Sequence, residues 1–147
     1  MKTMFDPETR EEIIGRIRSL GEKNNAQWGR MNVLQMVKHC SRFDEMIQKN
    51  EKTKRAFAGR FFGKIALKNV LKDDAPLGKN SPTLAMLKMS AEGDLEKEKE
   101  KWISQISDYQ NFSNAEFLHP FFGKITKEQI GCFVYKHSDH HLRQFGA

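Results

Sequence analysis

The chain has 147 residues, 38% hydrophobic and 30% charged, with 25 Lys and Arg against 19 Asp and Glu for a net charge of +6. This length predicts a single domain over residues 1–147 without a flexible tail. The charge permits anionic partners without requiring one. No apolar run approaches the roughly 18 residues that cross a bilayer, and the start lacks a signal-peptide core. We therefore expect a cytoplasmic protein with no membrane partner.

Two helices are predicted in the first third of the chain. Residues 6–8, Asp-Pro-Glu, combine an N-cap oxygen, a proline at the first helical position and an acidic residue, and the helix they open ends at Gly21. Asn32 is predicted to cap a second helix that runs to about residue 49. His39 then lies in mid-helix among apolar neighbours.

The middle of the chain is less regular. A third helix is predicted over about residues 60–72, followed by a surface loop at 73–83 that contains Pro76, Gly78 and Pro82. A short helical turn is expected after this loop. The helical pattern returns over about residues 92–109.

A second irregular stretch, residues 113–125, precedes the last helix. Thr126 and Gln129 form a capping-box pattern that predicts its start. No window shows sustained period-two alternation, so the chain is predicted to be all-α. We expect four main helices in a four-helix bundle, an extra short helix and two long loops.

Two sequence features are predicted to carry no chemistry. Phe-Phe-Gly-Lys-Ile occurs at residues 61–65 and again at 121–125, but the flanks differ, which indicates coincidence rather than duplication. Cys40 and Cys132 lie far apart without CxxC spacing. They are predicted to be reduced, buried thiols, in agreement with a cytoplasmic location.

The last helix carries two histidines four residues apart on its apolar stripe, His137 and His141. Side chains at this spacing project from one face and can bind one ion. A third imidazole from a facing helix would complete a site with an open position, and His39 is the only helix-embedded histidine elsewhere. The alternative is that these are hydrogen-bonded core histidines.

The neighbouring polar residues receive separate interpretations. His140 lies about 100° around the helix from His141, so we expect a rim, surface or outer-shell role and not a ligand. Gln144 is one turn further on and could reach the site, whereas Asp139 is expected at the surface. His119 precedes a proline in a loop. It is interpreted either as a turn residue or as an acid/base group at the mouth of the site.

Three segments resemble the DinB-like (DinB/YfiT-like) superfamily of metal-dependent proteins, within it a bacterial branch. They are residues 28–40 (WGRMNVLQMVKHC), 119–126 (HPFFGKIT) and 137–146 (HSDHHLRQFG). The resemblance extends from about residue 28 to the C-terminus, with little to match between 49 and 113. It implies a four-helix bundle that holds a divalent metal through His39, His137 and His141, with His140 excluded. Characterised members of the superfamily transfer or isomerise with low-molecular-weight thiols such as bacillithiol and mycothiol.

Three functions follow as expectations. The first is a metal-dependent enzyme, a hydrolase or thiol transferase, in which zinc, nickel or iron activates a water or thiol and His119 is the acid/base. The second is a metal-stabilised structural or dimerisation module, a homodimer being allowed in either case. The less favoured third is a nucleic-acid-binding module in which cations and phenylalanines alternate between residues 49 and 68. The competing interpretation of that segment is a solvated basic face whose phenylalanines are buried.

Overall fold

The computed structural model describes residues 1–147, and most of the chain is helical. The five α-helices are α1 (Pro7–Ser19), α2 (Val33–Gln48), α3 (Phe57–Val70), α4 (Leu95–Asp108) and α5 (Lys127–Gln144). Two single turns of 3-10 helix lie at Ala85–Leu87 and Tyr109–Asn111, and two short strands, β1 (Glu116–His119) and β2 (Gly123–Thr126), precede α5.

Four of the helices enclose the core. Helices α1 and α2 each contact both α4 and α5, and a single cluster of 27 buried hydrophobic residues fills the space between them. Inside it, the buried Asp44 carboxylate accepts hydrogen bonds from Trp102 Nε1 and Tyr109 Oη, each at 2.8 Å. Burial raises the pKa of Asp44 to about 7 despite these bonds. This network joins α2 to the α4 side of the molecule.

The helix starts follow local sequence signals. The predicted capping box of α5 is confirmed, with Thr126 and Gln129 each satisfying the other's backbone amide, and Asn32 and Gln35 form the same motif at α2. Asp6 occupies the N-cap position of α1, but its side chain makes no capping hydrogen bond. Helix α3 begins at Phe57, three residues before the predicted start, without a side-chain cap.

The prediction of an all-α chain was incomplete, because the stretch before α5 contains an antiparallel β-hairpin. Its register pairs Glu116 with Thr126 and His119 with Gly123. Gly123 adopts φ +84°, the left-handed conformation that closes a three-residue hairpin loop. Each strand has only four residues, and its buried and exposed positions alternate for two periods. That length is too short to register as sustained alternation.

The two Phe-Phe-Gly-Lys-Ile segments contact one another. The first lies within α3 and the second forms the hairpin loop and the start of β2. Gly59 and Gly63 face the loop so closely that a methyl group at either would overlap the Phe121 carbonyl oxygen. Helix α3 therefore attaches through its glycine side, and the expectation of buried phenylalanines in the basic segment was wrong: Phe57, Phe61 and Phe62 are 63–77% exposed.

Two polar predictions also change. Asp139 is buried rather than on the surface, because Arg16 of α1 and Arg143 of α5 both pair with its carboxylate, at 2.8 and 2.7 Å. Cys40 is a free, buried thiol, while the free thiol of Cys132 is only partly buried. Among the helices, none combines the length and the apolar character required to cross a bilayer.

Candidate metal centre

Helices α2 and α5 bring three histidines together. His39 comes from the middle of α2, and His137 and His141 are one turn apart on the facing side of α5. The ring centroids are 5.1 Å apart for His39 and His137 and 4.7 Å for each of the other two pairs. One nitrogen from each ring can be chosen so that all three lie within 4.8 Å of one another. The trio could therefore hold a metal ion.

A backbone carbonyl orients the first of these rings. His39 Nδ1 is 3.0 Å from the carbonyl oxygen of Leu87, in the short 3-10 helix that follows the long loop. Because a carbonyl oxygen only accepts, Nδ1 carries the proton. His39 Nε2 then presents a lone pair, and it lies 3.1 Å from His137 Nε2.

An amide orients His141 in the same way. His141 Nδ1 is 2.8 Å from Gln144 Oε1, and Gln144 Nε2 donates to the Trp28 carbonyl oxygen at 2.6 Å. The second bond fixes which end of the amide faces the ring, so His141 Nδ1 is the donor and its Nε2 keeps a lone pair. Gly29 is required here: it has φ +83°, and a Cβ at that position would lie 2.7 Å from Gln144 Nε2.

The donor set fits a divalent ion. Two imidazole nitrogens 3.1 Å apart can both bind one ion at the usual distance of about 2.0–2.1 Å. Without a cation, the lone pair of His39 Nε2 either meets another lone pair or takes the only proton of His137, whose buried Nδ1 has no partner. Hydrogen-bonded outer nitrogens and converging inner nitrogens are typical of metal-binding histidines.

The protonation states also suit metal binding. Burial is the main cause that lowers the pKa of all three histidines, and the neighbouring imidazoles lower the pKa of His137 and His141 further. The pKa of His137 falls well below its usual range and that of His141 falls to about 3. Neutral imidazole is the form that coordinates, so the rings are ready to bind at neutral pH.

His140 lies outside this group. It is buried between the Trp28 ring, at 5.5 Å between centroids, and the edge of the His141 ring, at 5.1 Å. Burial lowers its pKa. His140 therefore lies behind His141, packed against the loop residue Trp28 whose carbonyl accepts from Gln144, rather than on the surface.

His119 occupies the end of β1 and serves the hairpin loop. Its Nδ1 accepts the backbone amides of Phe121 and Phe122 at 3.2 and 3.1 Å, and its ring stacks on Phe122. Burial, with a smaller effect from Arg55, lowers its pKa to about 4. His119 is thus a neutral ring with one nitrogen engaged in the turn, and only Nε2 remains for any proton transfer.

The sequence did not predict the groups that orient the clustered histidines. The Leu87 carbonyl and the Trp28 carbonyl are backbone atoms on loops, and no residue type marks them. Phe43 was also missed as a neighbour, although its ring lies 4.0 Å from that of His137. Its position four residues after His39 on α2 was the available signal.

The chain belongs to the DUF1569 family, described as a protein of unknown function, which matches residues 3–147. Neither a curated protein nor a solved structure matches the chain. The family description leaves activity open, so function rests on the site.

Proposed function

We propose that this chain is a metal-dependent enzyme of the DinB-like type, in which His39, His137 and His141 hold a divalent metal ion. The observation that supports it is the convergence of three imidazoles, two of which have their outer nitrogens fixed by Leu87 and Gln144. The mutual contacts of α1, α2, α4 and α5 are compatible with the four-helix bundle of that superfamily.

A bound divalent ion would supply the acidity that turns a water or a thiol into a nucleophile near neutral pH. The chain's own residues set the conditions. Three neutral imidazoles provide no compensating negative charge, and the nearby carboxylate of Asp139 is neutralised by Arg16 and Arg143. Zinc, nickel and iron all accept three nitrogen ligands. The substrate would be a small molecule, with a thiol as the favoured co-substrate.

His119 is the proposed acid/base group. With Nδ1 accepting the amides of Phe121 and Phe122, a proton would move through Nε2. The low pKa of His119, about 4, keeps the ring neutral, and because Nδ1 accepts the two amides its single proton lies on Nε2, so the ring would act first as a donor. We place the protein in the cytoplasm, since both cysteines are free thiols.

Burial of the ligands favours one alternative. His39 and His141 are only 3% and 9% exposed, as expected for a metal that stabilises the fold without turnover. His137 retains partial exposure and is the side from which a substrate would reach the ion. Replacing the metal with cobalt and adding a small thiol separates the two: a shifted visible spectrum requires an accessible coordination position.

Metal content tests the site itself. The triple variant His39→Ala, His137→Ala, His141→Ala is expected to lose the metal that purified wild-type protein contains, measured by elemental analysis after dialysis. His140→Ala is the matched control, because it removes a buried histidine of the same helix that lies outside the trio. Equal metal content in the triple variant and in wild type would overturn the proposal.

A further inference from the structure

Helix α3 presents an apolar strip to solvent. Phe57, Phe61 and Ile65 follow one another at intervals of four residues, opposite the buried glycine side, and are 77%, 63% and 63% exposed. Phe62, at 63%, widens the strip. Exposed aromatic residues in a contiguous group on a folded protein mark an interaction site.

The same segment carries all the excess positive charge of the protein. Residues 52–72 contain seven basic residues and no acidic one. The remainder of the chain therefore has 25 − 7 = 18 basic against 19 acidic residues, a net charge of −1. The basic residues of the segment are Lys52, Lys54, Arg55, Arg60, Lys64, Lys68 and Lys72.

Cations lie directly beside the apolar strip. Arg60, Lys64 and Lys68 form a row at four-residue intervals along one flank of α3. Behind that row is a cleft of about 640 Å³ whose charged residues are four lysines. The full lining of the cleft is Lys64, Leu67, Lys68, Leu71, Lys72, Lys124 and Gln129. Lys72 and Lys124 already pair with Asp73 and Glu116, so Lys64 and Lys68 are the ammonium groups without a carboxylate partner that anionic groups of phosphate size would meet there.

We propose that α3 is a membrane-surface helix that docks the protein on anionic lipid. The Phe57, Phe61 and Ile65 side chains would enter the boundary between headgroups and acyl chains, and the basic row would meet lipid phosphates. An amphipathic helix with phenylalanines on one face and Lys and Arg beside them has the character of helices that lie in this interface. Such docking leaves the helix parallel to the bilayer and requires no spanning segment.

Two other occupants fit less well. A symmetric contact between two copies would bring basic rows towards each other, and the strip exposes roughly 500 Å², below the roughly 800 Å² per partner of a stable interface. A nucleic acid would require cations placed to meet its phosphates and aromatic ring faces left free to stack on its bases. Here the exposed Phe57 and Phe61 rings pack edge to face on each other, 5.3 Å apart at 66°, instead of leaving both faces free for bases.

This inference departs from the expectation of no membrane partner. That expectation rested on the absence of a spanning segment, which concerns crossing a bilayer and not lying on it. The phenylalanines of the basic segment were also expected to be buried, whereas Phe57, Phe61 and Phe62 are exposed. The inference is independent of the metal centre, because α3 contributes none of the three histidines.

Vesicle co-sedimentation tests the proposal with four versions of the 147-residue chain. They are wild type, the double variant Phe61→Glu, Ile65→Glu, the double variant Lys64→Glu, Lys68→Glu, and the control Met86→Glu, which places a charge on an exposed apolar residue outside α3. Wild type and the control should bind phosphatidylglycerol-containing vesicles, more weakly at high salt, and bind pure phosphatidylcholine far less. Each double variant should bind about tenfold more weakly or worse.

Circular dichroism and metal content, expected unchanged in all variants, separate this test from that of the metal centre. Absence of binding to anionic vesicles by wild type would overturn the proposal. So would equal binding by the double variants. Two other results would reassign the strip if the Phe61→Glu, Ile65→Glu variant abolished them. Retention of single-stranded DNA by wild type would assign the strip to nucleic acid. A lipid-free dimer of wild type in analytical ultracentrifugation would assign it to a second copy of the chain.

Discussion

Helices α5 and α3 are both amphipathic, yet they reach opposite environments. Helix α5 buries twelve of its 18 residues, among them His141 of the clustered histidines, and begins with a capping box. Helix α3 buries three of its 14, two of them glycines, and has no side-chain cap. Helix α5 packs through its bulky face and α3 through its smallest side chains. An apolar stripe therefore identifies an amphipathic helix without showing whether the protein covers that stripe.

Removing one phenylalanine from each helix should give the largest contrast. Phe133 of α5 is 5% exposed and packs against Phe43 and Phe122, at 5.5 and 5.2 Å between ring centroids. Phe133→Ala should lower the free energy of unfolding by about 3–5 kcal/mol, because it leaves a cavity. Phe61→Ala in α3 should change it by less than about 0.5 kcal/mol. Urea denaturation measures both, and a comparable loss in the two variants would contradict this difference.

The buried histidines should make the metal-free protein sensitive to acid. The folded-state pKa of His119 is about 4 and that of His141 about 3, both below the ordinary 6.5, so the unfolded chain binds these protons first. Their stabilisation is complete above pH 6.5 and decreases by about 2 kcal/mol per histidine as the pH falls to 5. Urea denaturation with a chelator at the two pH values measures this.

Asp44 acts in the opposite direction. The pKa of Asp44 is about 7 in the folded state, above the ordinary value of 3.8 that applies in the unfolded chain. Its contribution to the free energy of unfolding is therefore complete below pH 3.8 and is lost as the pH rises through 7. An Asp44→Asn background should therefore steepen the loss of stability in acid, and His119→Gln should reduce it. A free energy of unfolding that stays constant from pH 6.5 to 5 in the Asp44→Asn protein would contradict the burial of the histidines.

Two glycine substitutions test how α3 is attached. Gly63→Ala should lower the free energy of unfolding by about 1–3 kcal/mol, because the methyl group meets the Phe121 carbonyl. Gly15→Ala in α1 is the matched control, since no atom lies within 4 Å of the position that its methyl group would take. It should raise stability by about 0.5–1 kcal/mol through helix propensity. Stabilisation by both changes would indicate that α3 is not held against the hairpin.

Exchanging the caps should give the smallest effects. Thr126→Ala removes the capping oxygen of α5 and should cost about 1 kcal/mol. Ala56→Ser supplies a capping oxygen that α3 lacks and should gain at most about 0.5–1 kcal/mol. Thermal unfolding of both variants checks the signs. Destabilisation by Ala56→Ser would show that the start of α3 is limited by its contact with Pro120 instead, whose carbonyl accepts the Ala56 amide.

The repeated pentapeptide shows why part of the fold escaped prediction. The same five residues, Phe-Phe-Gly-Lys-Ile, are helical at 61–65 and form a loop and strand at 121–125. Local propensity is identical in the two copies, so the environment decides. In the second copy, the left-handed Gly123 and pairing with β1 favour the hairpin. The first copy has neither a side-chain cap nor a strand beside it to pair with. Its helix is instead positioned by Gly59 and Gly63, which pack against the hairpin loop.

The sequence by itself determined the features that depend on residues within one helical turn. Capping boxes join residues three apart, and His137 and His141 share a face because they are four apart. The tertiary structure alone decided which faces are covered and which histidine nitrogens remain free. Leu87 orients His39 across 48 residues, and Trp28 orients Gln144 across 116. Contacts at such separations form only when the whole chain packs, so no local pattern of residue types encodes them.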